Sequence, residues 1–133
     1  AYAIDQDTGE EEWCPAVTAS VTDATGAGDV FASGLVLGCL AGWPLEQRLK
    51  FASLTASLAV QQFGGSLAAP GWGDIADWWR CLRRRATAGD LKAAHISRDY
   101  GFLEDLIPRH QVHSVRRAEA TFASHSDLPD KRQ

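Results

Sequence analysis

Val21-Thr22-Asp23-Ala24-Thr25-Gly26-Ala27-Gly28-Asp29-Val30-Phe31 is a glycine-rich turn that runs straight into an apolar segment. Such a turn places the start of a helix where small residues let a ligand approach the backbone. The first N–H groups of a helix have no partner within it, and with the macrodipole they put about half a positive charge at that end, which suits a phosphate. A site built only to hold phosphate would add Lys or Arg, whereas this one carries a carboxylate at Asp29. Two readings of Asp29 stay equally open on spacing alone: a general base beside a transferring phosphoryl group, or a helix-capping acid. Gly28 is expected where the backbone takes a conformation or an approach that only glycine allows.

Two common phosphate motifs are excluded. The Walker pattern G-x-x-x-x-G-K-[ST] is absent, and Gly26-Ala27-Gly28 lacks the third glycine of the dinucleotide fingerprint. The stretch instead resembles the second signature of the ribokinase, or PfkB, family of carbohydrate kinases. That signature reads about D-[TP]-x-G-A-G-D, three residues, a small residue, Gly or Ala, and two apolar residues. Asp23 to Val36 matches it everywhere but Ala24, with Ser33, Gly34, Leu35 and Val36 in register. Residues 1–17 look like the strand pair that precedes the signature, and 51–65 like the helix and glycine-ended turn that follow it. The resemblance covers about the first 80 residues.

The resemblance implies an α/β chain, a ribokinase-like three-layer α/β sandwich represented here by its C-terminal part, with helices on a mostly parallel sheet. It implies transfer of the γ-phosphate of ATP to a sugar hydroxyl. Asp29 takes the hydroxyl proton, and the N–H groups of Gly26, Ala27 and Gly28 hold the developing anion. Ser53 falls where relatives often carry an Asn near the adenine. Asp23 and Thr25 match positions that bind a monovalent cation in some relatives, which allows K+ beside ATP and Mg2+. The residues that read the sugar and place Mg2+ are expected upstream of Ala1, so the chain is expected to be a piece of a longer enzyme and inactive alone. A homodimer is among the assemblies open to the intact enzyme. Two rival classes are a non-catalytic nucleotide-binding or regulatory module and an interaction piece docking through its C-terminal segment.

Composition narrows the partners. Lys plus Arg number 13 against 17 Asp plus Glu, a net charge of −4, which argues against nucleic acid. Arg80, Arg83, Arg84 and Arg85, and again Arg116 and Arg117, read as solvated helix faces. Cys14, Cys39 and Cys81 share no C-x-x-C spacing, so neither a disulfide framework nor a zinc site is expected and a reducing cytoplasm fits. His110 and His113 lack matching ligands for a metal. No secretory segment opens the sequence, and the apolar run 30–43 is too short to span a bilayer, so no membrane partner is expected.

Periodicity supplies the elements. Strands are expected over 1–4 and 12–21, joined by a turn at Asp5-Gln6-Asp7-Thr8-Gly9. A first helix should run over 28–41 and stop at Gly42. A second, over 45–63, carries Leu45, Leu49, Ala52, Ala56, Ala59 and Phe63 on one buried face. A third, capped by Asp74, should run to about Arg84 with Ile75, Trp78, Trp79 and Leu82 inward. Trp43, Trp72, Trp78 and Trp79 read as core in preference to a stacking platform. Residues 1–85 form the kinase part, with a linker at 86–90. A helical extension of unassigned role fills 86–123, including Val112, Val115, Ala118 and Phe122 at helical spacing, and 124–133 reads as a polar tail.

Overall fold

A computed structural model describes residues 1–110 of the chain. The expected helix through Val112, Val115, Ala118 and Phe122, the 124–133 tail, His113, Arg116 and Arg117 lie outside the described residues.

Strand β1 (Tyr2–Ile4) pairs antiparallel with β2 (Glu11–Trp13), Tyr2 opposite Trp13 and Ile4 opposite Glu11. Asp5 builds the turn between them, its Oδ1 accepting the N–H groups of Asp7 at 3.0 Å and Thr8 at 3.2 Å, and Gly9 closes it at φ 74°. The expected strand over 12–21 ends at Trp13. Pro15 has no N–H for a ladder, and the N–H groups of Thr22 and Asp23 both donate to the Val60 carbonyl, at 2.7 and 3.1 Å. The mostly parallel sheet expected from the resemblance is not what the described residues hold: theirs is a two-stranded antiparallel hairpin, the pairing a short turn imposes.

Helix α1 (Ala27–Leu40) ends as its sequence demands. Gly42 takes φ 70°, its N–H donates to Cys39 and that of Trp43 to Gly38, the paired bonds of a Schellman stop. Helix α2 (Leu45–Ala59) packs against α1 at Gly34 and Gly38: a Cβ at Gly34 would lie 2.8 Å from Thr55 Oγ1 and 3.0 Å from Ala52 Cα. Helix α2 stops four residues short of expectation, and Phe63, expected on its buried face, is 56% exposed. After Val60 the bonds tighten to three-residue spacing, Gln61 N–H to the Leu58 carbonyl at 3.3 Å and Gln62 N–H to that of Ala59 at 3.1 Å, so the α-helical ladder stops there.

Gly65–Ala68 forms a short 3-10 turn, and α3 (Trp72–Thr87) follows. Asp74 is not its N-cap but sits one position into the helix for each of Trp72, Gly73 and itself, reaching back to accept the Gly71 N–H at 2.8 Å. Residues 86–90 are not a linker. Ala86 and Thr87 complete α3, the chain reverses at Gly89 with φ 96°, and Asp90 caps α4 (Leu91–Asp99) by accepting the Ala93 N–H at 3.0 Å. Together with α5 (Leu103–Leu106), α4 folds back so that Ala93, Tyr100 and Leu103 join Phe51, Leu54, Ile75, Trp79 and Leu82 in one core.

The tryptophans of this region are core, as their spacing implies. Trp43 and Trp72 flank Phe51 with ring centroids 5.1 and 5.8 Å away, Trp78 meets Tyr100 edge-on at 5.3 Å, and Trp79 is buried. The arginines of α3 form a solvated face: Arg80 pairs with Asp77, Arg83 with Glu104 at 2.7 Å and Arg85 with Asp90 at 2.6 Å. All three cysteines are free thiols, and among the described residues no helix is long and apolar enough to cross a membrane.

Because Leu103 is fully buried against residues far earlier in the chain, Leu103→Ala should cost about 2–5 kcal/mol of unfolding free energy. Urea denaturation of the 133-residue chain measures this; a loss under about 1 kcal/mol would show that 86–110 packs apart from α2 and α3.

Candidate active site

The turn before α1 is wound by its own short side chains and carbonyls. Asp23 Oδ1 accepts the Thr25 N–H at 2.9 Å, and the Ala27 N–H donates to the Ala24 carbonyl at 3.2 Å. Gly26 then takes the left-handed conformation, φ 74° and ψ 1°, with its carbonyl accepting the Val30 N–H at 3.0 Å as the first bond of α1. No side chain caps this helix start. At the start of α1 the N–H groups of Gly26, Gly28 and Asp29 are without a partner among the described residues, as is that of Ala24 earlier in the turn. Of the donors expected from the sequence, the Ala27 N–H is thus already engaged, and the Asp29 N–H joins Gly26 and Gly28 in its place.

The turn rests on a second one that the sequence reading took only for a helix stop. Gly26 lies against the peptide joining Gly65 and Ser66 so closely that a Cβ on it would fall 2.3 Å from the Ser66 nitrogen. Gly64 and Gly65 adopt φ 128° and 58°, and Thr25 Cγ2 lies 3.6 Å from where a Cβ of Gly65 would stand. The Asp23 carboxyl is held below the usual carboxylate range, first by the Thr25 N–H, then by the Thr25 hydroxyl, and further by the N–H groups of Gly64 and Gly65. Adjacent glycines at 64 and 65, right after an apolar helix, were the available signal for this cradle. Gly28 differs from the expectation. It has an ordinary helical backbone and nothing within 4 Å of an added Cβ, so of Gly26 and Gly28 the position that demands glycine is Gly26.

Asp29 stands in the first turn of α1, exposed to solvent, and its carboxylate has no hydrogen bond or ion pair among the described residues. The capping alternative therefore has no bond to support it. Its backbone carbonyl accepts the Ser33 hydroxyl at 2.8 Å, one turn further on. Ser53 is not brought to this turn. It is buried in α2 and faces a separate cleft of about 340 Å³ walled by Ala16, Val17, Val21, Phe31 and Ala56. Phe31, two residues after Asp29, links that cleft to the start of α1.

The groups placed around the Asp23 carboxylate are the N–H and hydroxyl of Thr25 and the N–H groups of Gly64 and Gly65. Among the described residues no three His, Cys, Asp or Glu converge to hold a metal.

Comparison with known proteins agrees with the turn and its flanks. Residues 1–71 match the pfkB family of carbohydrate kinases. The bifunctional protein HldE of Helicobacter pylori (strain Shi470) is 37% identical over 60 residues, 45% of this chain and 13% of that protein. HldE of Trichlorobacter lovleyi is 37% identical over 62 residues, 47% of this chain and again 13% of the relative. The match thus spans about an eighth of the length of these relatives. A ribokinase from Thermotoga maritima superposes with a TM-score of 0.51 at 20% identity, covering 59% of this chain and 26% of that one, and shows a ribokinase-like fold.

The two glycines should separate in experiment. Gly26→Ala forces a left-handed Cβ onto the Ser66 peptide and should cost about 1–3 kcal/mol or more, while Gly28→Ala, at an open helical position, should gain about 0.5–1 kcal/mol. Thermal melts of both variants read the difference; equal losses would refute the assignment of Gly26 as the constrained position.

Proposed function

Because the chain belongs to the pfkB family of carbohydrate kinases, we propose that it carries the catalytic base and anion hole of an enzyme that moves the γ-phosphoryl group of ATP to a sugar hydroxyl. One observation carries the reading: an exposed, unpartnered carboxylate, Asp29, in the same helical turn as three unpartnered backbone donors. A carboxylate that only stabilised the helix would bond its N-terminal N–H groups, and this one leaves them free. In the proposed chemistry Asp29 accepts the proton of the acceptor hydroxyl. The N–H groups of Gly26, Gly28 and Asp29 face the charge that develops on the phosphoryl oxygens, with Ala27 shaping the turn through its bond to Ala24.

The magnitudes suit a kinase. A positioned base contributes about 10²–10⁴ in rate, and loss of one preorganised donor costs about 10²–10³. ATP, with its Mg2+, would supply the electrophilic phosphorus and the charge neutralisation; no Mg2+ ligand is assigned to the described residues. The cleft at Ser53 has apolar walls and two hydroxyls, those of Ser53 and Ser57, which suits a flat base such as adenine, and Ser53 is the proposed contact there. A small sugar is the proposed acceptor and a reducing cytoplasm the proposed compartment. The intact protein is proposed to complete the three-layer α/β sandwich.

Asp29→Asn keeps the size of the side chain and removes its capacity to take a proton. In the intact kinase it should lower kcat by about 10²-fold or more while KM for ATP changes little. Activity within about threefold of wild type would remove Asp29 from the mechanism.

A further inference from the structure

Residues 72–110 lie beyond the family match, and between α3 and the turn after α5 they enclose a cavity of about 420 Å³. Arg80 and Arg83 reach it from α3, Glu104 from α5 and Arg109 from the turn beyond, while Trp79 and Ile107 add apolar surface. The chain carries a net charge of −4, yet three arginines meet a single carboxylate in this lining. The three arginines are not alike. Arg80 pairs with Asp77. Arg83 is held on two sides: its guanidinium carbon lies 5.7 Å from the centre of the Trp79 ring, and its Nη1 donates to Glu104 Oε1 at 2.7 Å. Arg109 has no hydrogen bond or ion pair among the described residues.

We propose that this cavity is a binding site for a small phosphate monoester, separate from the Asp29 turn, in which Arg83 and Arg109 hold the phosphate and Ile107 lies against the organic part. It shares no lining residue with the start of α1 and does not rest on the kinase reading. Charge decides the class of ligand. A carboxylate is satisfied by one guanidinium fork, as Glu104 satisfies Arg83, whereas a phosphate monoester carries about −1.5 to −2 at pH 7 on three acceptor oxygens and so recruits more than one. Arginine suits the task because its charge is permanent and its fork rigid, and Trp79 and Glu104 keep that of Arg83 in place. Two ion pairs on a solvated face would account for Arg80 and Arg83 but give no part to Arg109 or to the apolar wall. Glu104 competes with the ligand for Arg83. A ligand shared by Arg83 and Arg109 ties α3 to the turn after α5, and by mass action it stabilises the fold-back of 86–110.

Phenyl phosphate titrated into the 133-residue chain, followed in ¹⁵N–¹H spectra, tests the site. The Trp79 indole N–H and the Glu104 and Ile107 amides should move and saturate, with a Kd of about 1 mM or tighter. Inorganic phosphate should move the same resonances with weaker affinity, because it has no organic part to lay against Ile107. Arg109→Gln, at an exposed position with no bond to lose, should weaken binding about tenfold or more, as expected for hydrogen bonds to a charged group. Glu104→Gln should tighten binding by freeing Arg83. Glu10→Gln, which removes the same charge from the turn between β1 and β2, should leave it unchanged. Shifts that do not saturate, an Arg109→Gln chain that binds as tightly as the parent, or equal tightening by Glu104→Gln and Glu10→Gln would each overturn the proposal. Tighter binding of a phosphoserine peptide than of phenyl phosphate at these same residues would overturn the small-molecule ligand and make the cavity a phosphopeptide site.

Discussion

The close approach of Gly26 to the Gly65–Ser66 peptide is the contact on which the turn before α1 depends. It brings two backbone turns, one before α1 and one after α2, to a distance that no side chain on Gly26 would permit. Both turns use left-handed glycines, and the N–H groups of Gly64 and Gly65 face the Asp23 carboxylate of the other turn. Beside that contact the Val60 carbonyl takes the N–H groups of Thr22 and Asp23, and the last turn of α2 tightens as Gln61 and Gln62 donate to Leu58 and Ala59. Local hydrogen bonds thus mark both the end of α2 and the entry to the turn before α1.

Behind the turns, the scaffold is stiff where it needs to be. Helix α1 is packed on α2 through Gly34 and Gly38, which bring the two backbones together, and α2 is in turn buried by Trp43, Trp72 and the core that α3, α4 and α5 complete. Asp29 is carried on the first turn of a helix seated in this way, so its carboxylate is exposed while its backbone is fixed. A catalytic group on a rigid element with a free head is the arrangement that proton transfer to a positioned base requires. Leu103 and Tyr100, far along the chain, belong to the same support, since they close the core over Phe51 and Leu54.

Much of this was readable from the sequence, for identifiable reasons. The helix stop at Gly42 and the start after Pro44 were visible because their chemistry is local, and the buried face of Leu45, Leu49, Ala52 and Ala59 followed from period alone, whereas the start of α3 was placed at Asp74 in place of Gly71. The turn from Asp23 to Asp29 was legible as a motif. What was not legible depended on partners distant in sequence. Phe63 fits the helical period but falls outside the helix because the bonds tighten at Gln61 and Gln62 and the chain turns away at the left-handed Gly64 and Gly65. The strand expected over 12–21 had β-branched residues, but beyond Trp13 it has no neighbouring strand among the described residues to pair with. Ala86 to Asp90 have linker composition, yet Asp90 is a cap and Arg85 pairs with it, so small and polar residues here mark a tight helix-to-helix reversal. The exchange of Gly28 for Gly26 as the constrained glycine, and of the Ala27 donor for Asp29, could come only from dihedrals and hydrogen bonds.

The central claim is that the start of α1 receives the transferring phosphoryl group while Asp29 receives the acceptor proton. The most direct measurement is a crystal structure of the intact kinase with ADP, Mg2+, tetrafluoroaluminate and its sugar. The account predicts the planar anion within about 2.7–3.1 Å of the Gly26, Gly28 and Asp29 nitrogens, with the acceptor hydroxyl in hydrogen-bond reach of the Asp29 carboxylate. An anion bound away from this turn, or an Asp29 carboxylate turned from the acceptor toward the helix N–H groups, would contradict it.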